Sequence, residues 1–255
     1  MEIKKTDFIQ SLEKGLNVIS AFDETNQQMT LTEVSKIVGL TRANARRVLL
    51  TLRHLGYVDT LDERYFFLTA KVLSLGYSYL SGLPFRELAL PFMQDLAKEI
   101  NESCSMSVLD KNEIVYVARV HTQRIMNISL AVGTRLPAHA TSMGKVIISG
   151  LNEPDRKRVL QTIDFQPYTE NTLSRKAFIK QLEVIKNQQW AISNEELEIG
   201  VRSIACPVRD KKGNIVAAIN ISGHASRVTV EDLEQTYLPV LREKVGHIES
   251  ALKLL

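Results

Sequence analysis

Apolar residues recur at helical spacing from Phe8 to Phe22, at Phe8, Ile9, Leu12, Leu16 and Ile19. This predicts an amphipathic helix of about four turns. A polar turn, Asn26-Gln27-Gln28, follows. Thr30 or Thr32 can cap a short second helix carrying Val34, Ile37 and Val38, and Gly39 stops it. Thr41 offers the N-cap of a third helix from Arg42 to about Leu55, closed by Gly56. Helix, short helix, glycine turn and helix is the helix-turn-helix order. Beyond Gly56, Tyr57–Thr60 and Tyr65–Thr69 flank Asp62-Glu63-Arg64 as a hairpin, in the position of a wing.

Residues 70–81 are helical and apolar on several sides, which calls for more than one packing partner. We read them as a linker and a dimer contact; packing on the next domain is the plainer alternative. Gly82 and Pro84 mark a boundary. Pro84–Ile100, Asn152–Gln161, Ser174–Gln188 and Val230–Leu254 have helical patterns. Strands are expected at Cys104–Leu109, Ile114–Val120, Ile125–Leu130, Ala191–Ser193, Val201–Val208 and Asn214–Ser222. Helices bracketing a predominantly antiparallel sheet make this part α+β. The expected organisation is residues 1–69, a linker at 70–83, and residues 84–255.

Composition then narrows the chemistry. The chain has 255 residues, 32 Lys+Arg, 29 Asp+Glu and two cysteines. Cys104 and Cys206 make no disulfide scaffold, which fits a reducing cytoplasm. No apolar run is long enough for a membrane span, and MEIKKTDFIQ does not read as a signal peptide. A net charge of +3 argues against nucleic acid, but charge per surface matters more than charge per chain. Between Val34 and Val58 stand Lys36, Arg42, Arg46, Arg47 and Arg53 and no acid. In the third helix Ala45, Val48, Leu49, Leu52 and Leu55 share one face, and Arg47 points away from it. Arg42, Asn44, Arg46 and Arg47 are therefore candidates for a DNA major groove, with Arg64 at the wing tip as a phosphate contact. A solvated helix face and a bare surface arginine are the plainer readings.

Enzyme readings find little support. In GTRLPAHATSMGK, His139 and Val146 stand where a phosphate-binding loop needs Gly and Ser/Thr. Ser142-Met-Gly-Lys145 matches S-x-x-K, but so does Ser11-Leu-Glu-Lys14, and the companion motifs are absent. There is no G-x-S-x-G or H-E-x-x-H, and His54, His121, His139, His224 and His247 show no metal spacing. No catalytic residue, metal or cofactor is expected. A small-molecule hydrolase and a cofactor-sensing module remain the rival classes.

The last strand suggests a pocket. Ile215, Ala217, Ile219 and Ile221 line one face, and Val216, Ala218, Asn220 and Ser222 the other. The apolar face suits packing against helices. The second face ends in two polar groups that need partners when buried: a ligand, backbone or water. Arg135 is shaped to hold an aromatic carboxylate, although an ion pair near a turn suits it equally. Arg119, on a strand, is a further candidate of that kind. His139 offers a bond to a ring hydroxyl, or is a satisfied core histidine.

The segments SLEKGLNVISAF, GTRLPAHATSMGK, EELEIGVRSIACPV and NIVAAINISG, in this order, resemble the IclR family of bacterial transcription regulators over nearly the whole chain. DFIQSLEKGL, GYVDT with YFFLT, and RLPAHATSMGK are similar to its branch controlling catabolism of protocatechuate, 4-hydroxybenzoate and related β-ketoadipate pathway compounds. The resemblance implies a winged helix-turn-helix, a linker helix and a GAF-like effector domain. It implies operator DNA, a small aromatic or dicarboxylic acid as effector (protocatechuate, 4-hydroxybenzoate, β-ketoadipate or a similar acid), and homodimers or homotetramers. It places the family's recognition-helix arginine on Arg47, and effector contacts on Ser142, Met143, Ser193, Ser203, Asn220 and Ser222. Several residue types differ from the family's, among them Ser193 for a carboxylate, so the ligand is not copied across. Glu195 and Glu196 belong to the family motif and read as structural.

Overall fold

The structure is a computed structural model that describes residues 4–121 and 130–254. The chain forms two compact units, Met1–Gly82 and Leu83–Leu255.

The first unit starts with α1 (Gln10–Ser20), the two-residue strand β1 (Met29–Thr30), α2 (Leu31–Ile37) and α3 (Arg42–His54). Thr30 caps α2 in a reciprocal box with Glu33, and Thr41 caps α3 by accepting the Asn44 N–H. Gly39 adopts φ +64° between them, in the left-handed region where a Cβ is costly, so the turn is tight. β2 (Val58–Leu61) and β3 (Tyr65–Leu68) form the hairpin, and Asp62 and Glu63 at its tip both have positive φ, as a tight twisted hairpin turn requires. β1 adds to β3, making three strands where the sequence pattern shows two. A two-residue strand is too short to carry a period. Val18, Val34, Leu49, Leu52, Val58 and Phe66 form the core.

The apolar stripe of the amphipathic first helix does not lie in the core: Ile9, Leu12 and Leu16 are 63 %, 59 % and 53 % exposed, and Val18 is the buried position. A single turn of 3-10 helix (Ala70–Val72) leads into α4 (Leu73–Leu80), which buries no residue and exposes Leu73, Leu75, Tyr77 and Tyr79.

The second unit contains α5 (Pro84–Ile100), β4 (Ser103–Asp110), β5 (Glu113–Val120), β6 (Arg135–Pro137), α6 (Ser142–Ser149), α7 (Glu153–Thr162) and α8 (Arg175–Gln188). β7 (Ala191–Asn194), β8 (Val201–Arg209), β9 (Ile215–His224), α9 (Val230–Asp232) and α10 (Leu238–Leu252) complete it. The six strands lie in the order β6-β5-β4-β9-β8-β7, all antiparallel. The expected strand at Ile125–Leu130 lies outside the described residues except for Leu130, which is in no strand. The expected closing helix from Val230 is interrupted by a π-helical turn, Leu233–Tyr237. Pro239 follows at the start of α10, and its missing N–H cannot continue an α-helical ladder.

Helices cover both faces of the sheet. α10 packs on α5 and β8, with Arg242 and Glu249 beside Cys206. On the opposite face α6 and α8 pack on Ala191, Ala205 and Ala218. Helices thus meet both faces of β9, not the apolar face alone: α6, buried at every residue, sits on the polar face.

Candidate functional site

The first unit divides the expected DNA contacts into two sets. Arg42, Arg46 and Arg64 line a cleft between α3 and the hairpin, of about 600 Å³, together with Arg53 and Glu63. Residues 42, 46 and 53 fall within about 40° of one another on a helix, so three arginines share one stripe. Asn44 and Arg47 line the opposite groove with Gln10, Ser11 and Lys14. Arg42, Arg46, Arg47 and Arg64 are exposed, and among the described residues none of the four is in an ion pair. Arg53, by contrast, meets Asp59 at 3.5 Å. Arg64 lies over the Tyr65 ring, 5.4 Å from its centre. Free guanidinium groups on an exposed helix and an adjacent hairpin are what phosphate and base edges need.

The second unit contains a cavity of about 80 Å³ over the polar face of the sheet. Ser193, Ser203, Asn220 and Ser222 all line it. Register explains the convergence: Ser193 stands opposite Ser203, and Ser203 opposite Ser222, across β7, β8 and β9. Ser193 donates to the Ala140 carbonyl at 2.9 Å. Asn220 is buried, and its Oδ1 has no donor among the described residues. Tyr116, Leu136 and Thr141 add to the wall, and Glu198 stands at it as an exposed acid. Burial pushes the Tyr116 phenol up to about 12, which keeps it a neutral hydrogen-bonding group. Tyr116 went unnoticed in the sequence; its alternation within β5 was the available signal.

The remaining candidates stand elsewhere. Ser142 and Met143 lie behind the cavity wall, fully buried in α6. Ser142 Oγ is 2.8 Å from Ser203 Oγ, and Met143 Sδ accepts from Ser107 at 3.2 Å. Arg135 is placed outside the cavity: it holds Asp110 at 2.6 Å and Glu113 at 2.8 Å on the surface, and these two bonds raise its pKa further. His139 is likewise outside, buried among Phe165, Tyr168 and Phe178, with the Gln166 carbonyl at 3.4 Å. Burial lowers its pKa, so the neutral ring is favoured. For both, the plainer reading describes the geometry. Among the described residues no cluster of three or more His, Cys, Asp or Glu could hold a metal ion. No described helix is long and apolar enough to cross a membrane.

Comparison with known proteins decides the family. Residues 11–62 match the IclR helix-turn-helix domain, and residues 77–250 match the C-terminal domain of the bacterial transcriptional regulator IclR. This chain belongs to the IclR family. It is a DNA-binding transcriptional regulator and not an enzyme. The Pca regulon regulatory protein of Pseudomonas putida is 38 % identical over 237 residues, covering 92 % of this chain and 81 % of that one. A crystal structure of a regulator from Rhodococcus sp. RHA1 is 44 % identical, with a TM-score of 0.86 over 97 % of this chain and 99 % of that one. The inducer-binding domain of the Acinetobacter regulator PobR, a double mutant in complex with 3-hydroxybenzoic acid, is 32 % identical with a TM-score of 0.60. It covers 64 % of this chain and 96 % of its own.

Proposed function

We propose that this regulator responds to a small hydroxylated aromatic acid of the protocatechuate or 4-hydroxybenzoate kind, bound in the cavity of the second unit. The observation that carries the reading is the buried Asn220 oxygen, which lacks a donor among the described residues, in a cavity lined by hydroxyls and apolar groups with Glu198 as its one acid. A buried unpaired acceptor costs about 1–3 kcal/mol, and a ligand hydroxyl removes that cost. About 80 Å³ is far below the roughly 300–1,000 Å³ of sites for drug-sized ligands. The size favours a single-ring acid over a nucleotide or other large cofactor. The PobR inducer-binding domain, in complex with 3-hydroxybenzoic acid, supports the same ligand class.

In this reading residues 1–69 bind operator DNA through Arg42, Asn44, Arg46, Arg47 and Arg64, residues 70–83 are the linker, and residues 84–255 take the effector. Ser193, Ser203, Asn220 and Ser222 contact the ligand, and Ser142 and Met143 shape the wall behind it. The protein works in the cytoplasm as a homodimer or homotetramer. The exposed Leu12, Leu16, Leu75 and Tyr77 favour an assembled state, since apolar side chains gathered on a surface mark contact with a partner. The effector shifts operator affinity only by its differential affinity for two arrangements of the assembly.

Two tests follow. Asn220→Ala with Ser222→Ala should weaken 4-hydroxybenzoate or protocatechuate binding about tenfold or more in calorimetry, with operator binding in the absence of effector unchanged. Equal ligand titrations for the variant and the parent chain would remove the cavity from the effector site. Arg46→Ala and Arg47→Ala should each cost about 1–3 kcal/mol of operator affinity at fixed salt if each reads a base. Loss of one unit of salt slope without altered sequence preference would make either arginine a phosphate contact instead. No change in both affinity and salt slope would place that arginine off the DNA.

A further inference from the structure

The cavity floor continues beyond its walls as a polar row on the sheet. Register sets Ser105 of β4 opposite Asn220 of β9 on one side and opposite Arg119 of β5 on the other. Directly opposed residues share a sheet face, so Arg119, Ser105 and Asn220 form one row across three strands. The register shift between Met106 and Ser107 then brings Tyr116 opposite Ser107, on that same face. Ser107 bonds Met143 and Tyr116 lines the cavity, which fixes this face as the ligand side.

Arg119 is half-buried there. Its Nη1 donates to Ser105 Oγ at 3.2 Å and its Nε to His121 Nδ1 at 3.4 Å. A guanidinium has five N–H groups, so three are left without a bond among the described residues. Among those residues no carboxylate meets it, unlike Arg135, Arg156 and Arg202, each of which holds an acid. A partly desolvated, permanently charged group without a counter-charge is costly, and a carboxylate matches its planar fork. The charge at the other end of the cavity is negative: Glu198, next to β7, repels an acid group.

We propose that Arg119 binds the carboxylate of the effector, with Ser105 beside it, so that the acid group lies toward β5 and β4. The ring then lies along Tyr116 and Leu136, and a ring hydroxyl donates to Asn220 Oδ1, with Ser203 and Ser193 close by. The assignment rests on the aromatic-acid reading of the cavity. It adds what that reading leaves open, which end of the ligand goes where and which residue demands the charge.

The experiment compares an acid with its neutral isostere. Binding of 4-hydroxybenzoate and of 4-hydroxybenzamide to the full chain is measured by calorimetry for the parent protein, Arg119→Met and Arg119→Lys. The parent should prefer the acid by about tenfold or more. Arg119→Met should lose that preference, through a larger loss of affinity for the acid than for the amide, and Arg119→Lys should keep part of it. Retained amide binding shows that the variant is folded. An unchanged preference in Arg119→Met overturns the assignment and leaves the aromatic-acid reading standing. Absence of binding of both compounds to the parent overturns both together.

Discussion

Gly144→Ala is expected to lower the melting temperature of the second unit by about 6–12 °C. A Cβ on Gly144 would lie 2.1 Å from the Ala138 carbonyl oxygen and 2.5 Å from its Cα. Real contacts of this kind do not occur, so backbone has to move. Overpacking a dense core costs roughly 1–3 kcal/mol, and a clash with main chain falls at the upper end. For a unit of this size each kcal/mol is worth about 2–4 °C. Gly150→Ala supplies the control. Its Cβ would also lie 2.1 Å from a neighbour, but that neighbour is Ile215 Cδ1, the tip of a side chain that can change rotamer. Thermal denaturation followed by circular dichroism should separate the two, with Gly150→Ala costing about 1 kcal/mol or less. If the two variants melt together, the main chain around Ala138 yields easily and the argument fails. The position has functional weight, because Ala140 and Thr141, which follow Ala138, line the cavity.

The helix-turn-helix was legible because its signals are local. Thr41, Gly39 and the spacing of Ala45, Leu49 and Leu52 each act within one or two turns. The long strands were legible for the same reason, since alternation in β9 assigns Asn220 and Ser222 to one face without knowledge of what lies above. The helix above that face was not legible. Ser142–Ser149 has eight residues, fewer than the span over which a helical period can be read, and its polar positions Ser142, Lys145 and Ser149 are themselves buried. The outward stripe of α1 failed for the converse reason. Leu12 and Leu16 have the spacing of a buried face, and a monomer's pattern does not say whether the chain's own core or a second molecule covers it.

Candidate site residues split along a related line. Ser193, Ser203, Asn220 and Ser222 converge because three strands lie in register, and the resemblance to relatives supplied their positions. Arg135 and His139 have the residue types that a carboxylate or a ring hydroxyl needs, but type does not fix direction. Arg135 sits near the Asp110–Glu113 turn and is neutralised there. His139 belongs to an aromatic cluster with Phe165 and Phe178, which are distant in sequence. Arg119 gained weight only when the partner strand was known, because Ser105 and Asn220 lie 14 residues before and 101 after it in the chain.

Lys145→Met should cost about 3–5 kcal/mol at neutral pH, by stranding a buried carboxylate. Lys145 is 0 % exposed and donates from Nζ to Glu196 Oε1 at 2.5 Å and to the Ile192 carbonyl at 3.0 Å. Burial pulls both partners toward neutrality, raising the Glu196 pKa and lowering that of Lys145, and each charge opposes the shift of the other. Removing either partner therefore enlarges the shift of the one left behind. In Lys145→Met the native Glu196 pKa rises further above its unfolded value, so the folded state binds the extra proton. Stability is then greatest below the ordinary carboxylate range near 4.3 and falls as pH rises through the native pKa. In Glu196→Leu the native Lys145 pKa falls further below its unfolded value, and the unfolded state holds the extra proton. Stability of that variant should instead rise with pH toward the ordinary lysine range near 10.4. The double variant Lys145→Met with Glu196→Leu leaves no buried charge. It should be more stable than the sum of the singles implies, by about 0.5–3 kcal/mol, with neither slope. Urea denaturation from pH 5 to 9 tests all of this in one series. Opposite slopes in the singles and a flat double establish a coupled buried pair that clamps α6 to the segment after β7. Parallel slopes, or additive losses, would show that solvent reaches the two groups and that the clamp is not electrostatic.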